Sequence, residues 1–428
     1  MATASGKRLR EDYYDEDVNF QELAKEHPEF GQLFASSGEH LDWQDPATIQ
    51  LLTKALLKKD FDLEITLPSD RLCPPVPVRW NYIRWIQELL DTTNESYIDG
   101  CNGKIIGLDI GTGASCIYAL LACASRPQCT MLATDIDAHS FEFAQKNVDG
   151  NHLSDRITLK QNTPDDKLIP PAEDMEHIDF VVCNPPFYDS QEDMDNAYKN
   201  KALPASAVCT GSTNEMICVG GDLGFATRIL EESLKLRQRV KWYSCMFSRK
   251  ASAENFVAKL KKHGINNFAA ANLRAGQKTV RWAIGWSFSG LRPRNDVVRS
   301  GQLSLGILPL ATDCTIDVHG TSAHELSTKL NDVLSDMDLQ WMHRPETYSG
   351  TVVTTANVWS RSARRKRKRE GESVAPADDA KQNIALAMTL TCNNASIHAR
   401  WLHGNDHVLL ESFVAMLRNK LGVRNYDN

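Results

Sequence analysis

Apolar positions change their rhythm along this chain. Between residues 104 and 288, short apolar runs alternate with stretches of helix length. The runs at 105–110, 130–134, 157–160, 180–183, 242–247 and 282–288 have the length and apolar character of buried strands. Helical periodicity over 115–124, 139–151, 225–239 and 253–263 separates most of them. Such alternation predicts an α/β fold with a doubly wound, mainly parallel sheet. Upstream, residues 1–40 are polar, with sparse apolar positions at Phe20, Leu23, Phe30, Leu33 and Phe34 that suit one or two short helices. A prolyl stretch at 68–77 (PSDRLCPPVP) fixes an extended path into a helix over 78–90, where Trp80, Ile83, Ile86 and Leu90 keep helical spacing. Downstream, the polar string 291–300 reads as a linker. Beyond it lie a helix over 323–337, strands near 340 and at 350–359, 384–392 and 397–402, and a closing helix over 407–421. Three regions are therefore expected: an extension over 1–40, an α/β domain over 41–290, and a smaller α+β domain over 301–428, interrupted at 361–382 by a basic, disordered loop.

Composition narrows the class. With 428 residues, 42% of them hydrophobic, the chain can bury two or three ordinary cores. That excludes a wholly disordered chain, a collagen-like fibre and a small disulfide scaffold. No apolar run approaches the roughly 20 residues of a membrane helix, and MATASGKRLRED lacks the apolar core of a signal peptide, so a soluble intracellular chain is expected. Eleven cysteines are scattered without C-x-x-C or zinc spacing, which predicts neither a metal site nor a structural disulfide. The net charge of −7 argues against a nucleic-acid partner, but the distribution does not. Residues 361–369 (RSARRKRKR) hold seven basic side chains in nine, and Lys7, Arg8 and Arg10 lie near the beginning. Local clusters, not the sum, govern contact with phosphates.

Three motifs carry chemistry. LDIGTGAS, from Leu108, joins a strand to a helix; Gly111 and Gly113 let the backbone turn sharply, and the amides that follow face a ligand. Asp135 ends the next strand, where a carboxylate can accept both hydroxyls of a ribose. The turn is G-x-G without the third glycine that a pyrophosphate needs, so a nucleoside cofactor without phosphates, S-adenosylmethionine, fits better than a dinucleotide. The third motif, DFVVCNPPF from Asp179, is an apolar strand that two prolines bring to a rigid end. The Asn184 amide and Pro185 carbonyl can accept the two hydrogens of an exocyclic amine, Pro186 stiffens the corner, and Phe187 offers a face for a planar base.

These residues, with DPATIQLLTKALLKKDFDLEI, VPVRWNYIRWI, KWYSCMFSRK and KTVRWAIGWSF, make the chain resemble the methyltransferase-like 16 family of U6 small nuclear RNA adenine-N6 methyltransferases, from about residue 20 to 288. The resemblance implies a class I, Rossmann-like methyltransferase fold, S-adenosylmethionine as cofactor, an NPPF adenine pocket and RNA as partner, with U6 the favoured substrate. It implies catalytic roles for Asn184, Pro185, Pro186 and Phe187, and cofactor contacts from Arg79, Asp109, Gly111, Gly113, Ser115, Asp135, Asn184 and, in the loop TPDDKL, Asp166 and Lys167. Expected RNA contacts are Lys7, Arg8 and Arg10 in the extension, Lys199, Lys201, Lys278 and Arg281, and the run Arg364, Arg365, Lys366, Arg367, Lys368 and Arg369. The same run suits nuclear import, which places the chain in the nucleus, with the cytoplasm as a second location. A ribosomal RNA adenine methyltransferase and a glutamine-N5 protein methyltransferase share the Asn-Pro-Pro corner and stay open as alternatives.

Overall fold

Strands rich in Ile, Val and Leu need cover on both faces, and such strands lie at the centre of the seven-stranded sheet of the first unit. The computed structural model describes residues 9–38, 40–101, 103–171, 175–199, 210–275, 279–361, 365 and 384–423. Two compact units divide the chain: residues 1–90, 101–288 and 299–308 form one, and residues 91–100, 289–298 and 309–428 the other.

The first unit opens with helices α1 (Phe20–Glu26), α2 (Pro28–Ser36), α3 (Pro46–Phe61) and α4 (Val76–Thr92). Strands β1 (Ile105–Ile110), β2 (Cys129–Asp135) and β3 (Ile157–Gln161) follow, separated by α5 (Ile117–Ser125) and α6 (Ala138–Gly150). Next come β4 (Ile178–Cys183), α7 (Gln191–Lys199), α8 (Thr213–Met216) and α9 (Gly221–Leu236). The unit's sheet is completed by β5 (Val240–Phe247), α10 (Lys250–Lys262), β6 (Phe268–Ala275) and β7 (Thr279–Trp286). The strand order is β3-β2-β1-β4-β5-β7-β6. All neighbours as far as β5 run parallel, whereas β7 pairs antiparallel with both β5 and β6. The alternating pattern read from sequence misses β6: its FAAANLRA string has no β-branched residue, and only the pairing with β7 makes it a strand.

The chain winds from β1 outward to β3 and then crosses back to β4 on the other side of β1. A crevice opens at the carboxyl ends of strands where the order reverses in this way. Register aligns those ends: Cys183 lies opposite Ile110, and Ile110 opposite Thr134. Asn184, Gly111 and Asp135 therefore leave their strands at one level.

The second unit is built differently. After the short α11 (Asn295–Val298) come β8 (Asp313–Asp317), α12 (Ala323–Ser335), β9 (Gln340–Arg344), β10 (Ser349–Thr354), β11 (Leu386–Asn393), β12 (Ser396–His403) and α13 (His407–Lys420). Its five strands are all antiparallel, in the order β8-β12-β11-β10-β9. Leu326, Leu330 and Leu334 of α12 and Phe413 and Leu417 of α13 share one core with Met388, Leu390, Ile397 and Trp401. Most of the string 291–300, read as a linker, belongs to this unit, which takes in residues 289–298. Arg292 is buried there, donates from Nε to the Gly404 carbonyl at 2.8 Å and lies 4.1 Å from the centre of the Trp401 ring. Among the described residues no helix is long and apolar enough to cross a membrane.

Candidate active site

The glycine turn is held by β2 as well as by its own sequence. Gly111 and Gly113 take φ of +73° and +63°, a region that costs most side chains strain. The Gly111 and Thr112 amides both donate to the Thr134 carbonyl at 2.9 Å, and the Gly113 amide donates to Asp135 Oδ2 at 2.7 Å. The other oxygen of Asp135 accepts from the Asp137 amide at 2.9 Å. Burial raises the Asp135 pKa above the usual carboxylate range, opposed by these backbone donors. Asp137 caps α6 and accepts from Arg71 at 3.1 Å.

Around this turn lies a cavity of about 250 Å³. Gly111, Gly113, Ser115, Asp135, Asn184, Pro185 and Pro186 all line it. Arg79 and Tyr118 line it too: Arg79 is 5% exposed, donates to the Tyr118 hydroxyl at 2.7 Å and lies 3.4 Å from Met246 Sδ. No carboxylate lies within ion-pair reach of Arg79 among the described residues; the buried Asp109 acts on it only through its charge at longer range, so a buried cation lines the cavity without a contact partner of opposite charge. Asn184 Oδ1 is buried and accepts no hydrogen bond from the described residues. An added Cβ on Gly111 would meet nothing within 4 Å, so the turn borders open space. An orphaned acceptor, a buried cation with no ion-pair partner and a backbone cradle fit a ligand carrying both an anionic group and a nucleoside.

Other expected residues fall elsewhere. Asp109 does not line the cavity; it is buried behind the turn, accepts from Thr112 Oγ1 at 2.7 Å, and burial pushes its pKa up to about 7. In the TPDDKL loop, Asp166 reaches the rim and accepts from Thr163, while Lys167 is exposed and outside the lining. Phe187 sits beyond the lining, half-buried, with the Arg281 guanidinium 5.3 Å from its ring centre. Burial, reinforced by the charge of Arg79, lowers the Arg281 pKa. Arg10 turns inward: it donates to the Tyr13 carbonyl at 2.8 Å and lies 3.7 Å from the centre of the Tyr14 ring. Lys199 ends α7 exposed, and Arg365 is exposed. Lys7, Arg8, Lys201, Lys278, Arg364, Lys366, Arg367, Lys368 and Arg369 lie outside the described residues. Sequence reasoning assigned no role to Tyr118, just beyond the glycine turn, to Leu72, in the prolyl stretch, or to Glu215, which lies in no motif; all three line the cavity.

A family model for RNA methyltransferases matches residues 1–290. The chain is 37% identical over 388 residues to the U6 small nuclear RNA (adenine-(43)-N(6))-methyltransferase of Schizosaccharomyces pombe, covering 89% of this chain and 95% of that protein. It is 33% identical over 401 residues to the RNA N(6)-adenosine-methyltransferase METTL16 of Homo sapiens, covering 86% and 69%. The chain belongs to the methyltransferase-like 16 family of RNA methyltransferases. Among solved structures of this family, the hMettl16 catalytic domain in complex with MAT2A 3'UTR hairpin 1 is 36% identical, with a TM-score of 0.57 over 66% of this chain and 95% of that one. The N-terminal domain of human METTL16 in complex with SAH is 33% identical, with a TM-score of 0.50 over 66% and 98%. The first unit thus has the class I, Rossmann-like methyltransferase fold, and the cavity lies at its β1/β4 crossover.

Proposed function

We propose that the chain transfers a methyl group from S-adenosylmethionine to N6 of an unpaired adenosine in structured RNA, with U6 small nuclear RNA as the substrate. The observation that carries this reading is the buried, unpartnered Asn184 Oδ1 at the end of β4, level with the glycine turn. The Schizosaccharomyces pombe relative, aligned over most of both chains, supports adenine N6 as the target and U6 as the RNA. The SAH complex of the human domain supports the cofactor.

When bound, S-adenosylmethionine supplies an electrophilic methyl group on a sulfonium. Arg79 would hold its carboxylate, Gly111, Gly113 and Ser115 would pack against its methionine and ribose, and Asp135 would accept from the ribose hydroxyls. The adenine amine is a poor nucleophile because its lone pair is delocalised into the ring. Asn184 Oδ1 and the Pro185 carbonyl accept its two hydrogens, which favours a pyramidal nitrogen and aims the lone pair along the transfer line. Pro186 keeps that corner from flexing. Phe187 stacks on the flipped base, with Arg281 against the ring. No side chain is assigned as general base; the proton leaves to water after transfer.

Residues 1–40 and 301–428 then serve as RNA-binding regions flanking a methyltransferase domain at 41–290. The basic run at 361–369 serves both phosphate contact and nuclear import. Asn184→Ala tests the core of this reading with a U6 hairpin as substrate. Methyl transfer should fall about 1,000-fold or more, while affinity for S-adenosylhomocysteine and the circular dichroism spectrum stay near wild type. Retained turnover would remove the amine acceptor from the mechanism.

A further inference from the structure

Glu215 belongs to none of the motifs above, yet it lies at a junction of segments far apart in sequence. Its carboxylate accepts from the Leu72 amide at 3.1 Å and from the Ser212 amide at 2.8 Å. Both Leu72 and Glu215 line the cavity, and a Cβ placed on Gly113 would lie 3.6 Å from Glu215 Oε1. A second link runs beside the first: Thr210 Oγ1 donates to the Arg71 carbonyl at 2.5 Å. Arg71 in turn binds Asp137, whose amide donates to Asp135. The segment around Leu72 is thus tied on one side to the end of β2 and on the other to α8.

We propose that Glu215 is a positioning residue that clasps the segment around Leu72 to the segment carrying α8, closing the cavity over the cofactor and setting how long the cofactor stays bound. The Ser212 contact alone is a capping box at the start of a one-turn helix. The Leu72 contact, 143 residues away in sequence, has no capping role. The clasped segment also pairs with the chain just past the NPPF corner. The Tyr188 amide donates to the Met216 carbonyl and the Cys218 amide donates to the Tyr188 carbonyl, each at 3.0 Å, so the residue after Phe187 pairs with the chain just past Glu215. Burial raises the Glu215 pKa, with the backbone donors and the Arg71 charge opposing it, as for a carboxylate enclosed between segments rather than lying on a surface. The Leu72 and Thr210 links act on release more than on entry only by holding more firmly around a seated cofactor, and that is the behaviour proposed.

The inference rests on the reading of the cavity as the S-adenosylmethionine site, and the test separates the two. Release of S-adenosylhomocysteine from the full chain is followed by stopped-flow fluorescence for wild type, Glu215→Ala, Glu215→Gln and Thr210→Val, with thermal unfolding of each cofactor-free protein. Glu215→Ala should release the ligand at least tenfold faster, with association changed less than threefold. Glu215→Gln, which keeps one acceptor for the Leu72 amide, should fall between wild type and alanine. Thr210→Val, which cannot disturb the capping box, should accelerate release several-fold without lowering the unfolding temperature. Release at the wild-type rate in both Glu215→Ala and Thr210→Val would overturn the clasp while leaving the cofactor reading intact. Failure of wild type itself to bind S-adenosylhomocysteine would overturn both.

Discussion

Arg79 and Arg292 are buried to nearly the same degree, 5% and 2% exposed, but the two units complete them differently. In the second unit, Arg292 donates to the Gly404 carbonyl and lies over Trp401, while burial pushes its pKa down to about 9. The fold itself supplies its partners. In the first unit, Arg79 has a hydroxyl and a thioether as neighbours, and its cation faces a cavity. A buried charge completed by the protein serves packing, whereas one left for a ligand to complete marks a site. Sheet architecture underlies the contrast. Parallel strands bring several carboxyl ends to one edge, with their turns and unpaired groups; antiparallel strands alternate ends and bury their side chains in a shared core.

Three measurements can break or sharpen this comparison. Arg79→Met should weaken S-adenosylhomocysteine binding about 100-fold by calorimetry, matching the loss of charge-assisted hydrogen bonds worth about 2–3 kcal/mol. Cofactor-free stability should change little, since a buried cation costs desolvation. Unchanged affinity with lowered stability would make Arg79 the same kind of residue as Arg292. The converse substitution, Arg292→Ala, should cost about 2 kcal/mol in denaturant unfolding by leaving the Gly404 carbonyl unsatisfied and a hole over Trp401, with cofactor affinity unaltered. A change in that affinity would end the division of labour between the two arginines. Deleting the basic run from Arg364 to Arg369 should have the smallest effect, about a tenfold loss of RNA affinity at moderate salt and a shallower salt dependence. Rates at saturating RNA should hold, and binding unchanged at every salt concentration would leave import as the run's role.

Much of the active edge was legible because its signals are local. Gly111 and Gly113 must take positive φ, Pro185 and Pro186 must end a strand, and Asp135 must close the strand before α6; each constraint lies in a few consecutive residues. Less legible were features that depend on pairing. The alanine-rich β6 and the short β8 became strands through their neighbours. Arg10 and Arg292 look alike in sequence to arginines that contact nucleic acid or solvent. Their inward packing depends on Tyr14 and on Trp401, the second more than 100 positions away.

From the amino-acid order alone came the doubly wound alternation, the glycine turn, the prolyl corner and the family they point to, because periodicity and backbone stereochemistry act over a few residues. Only the tertiary structure decided that Asp109 stands behind the turn, that Arg79 lines the cavity without an ion-pair partner, and that Leu72 and Glu215 meet across 143 positions. Which polar groups remain unpaired depends on what the folded chain brings beside them, and short-range pattern carries no record of that.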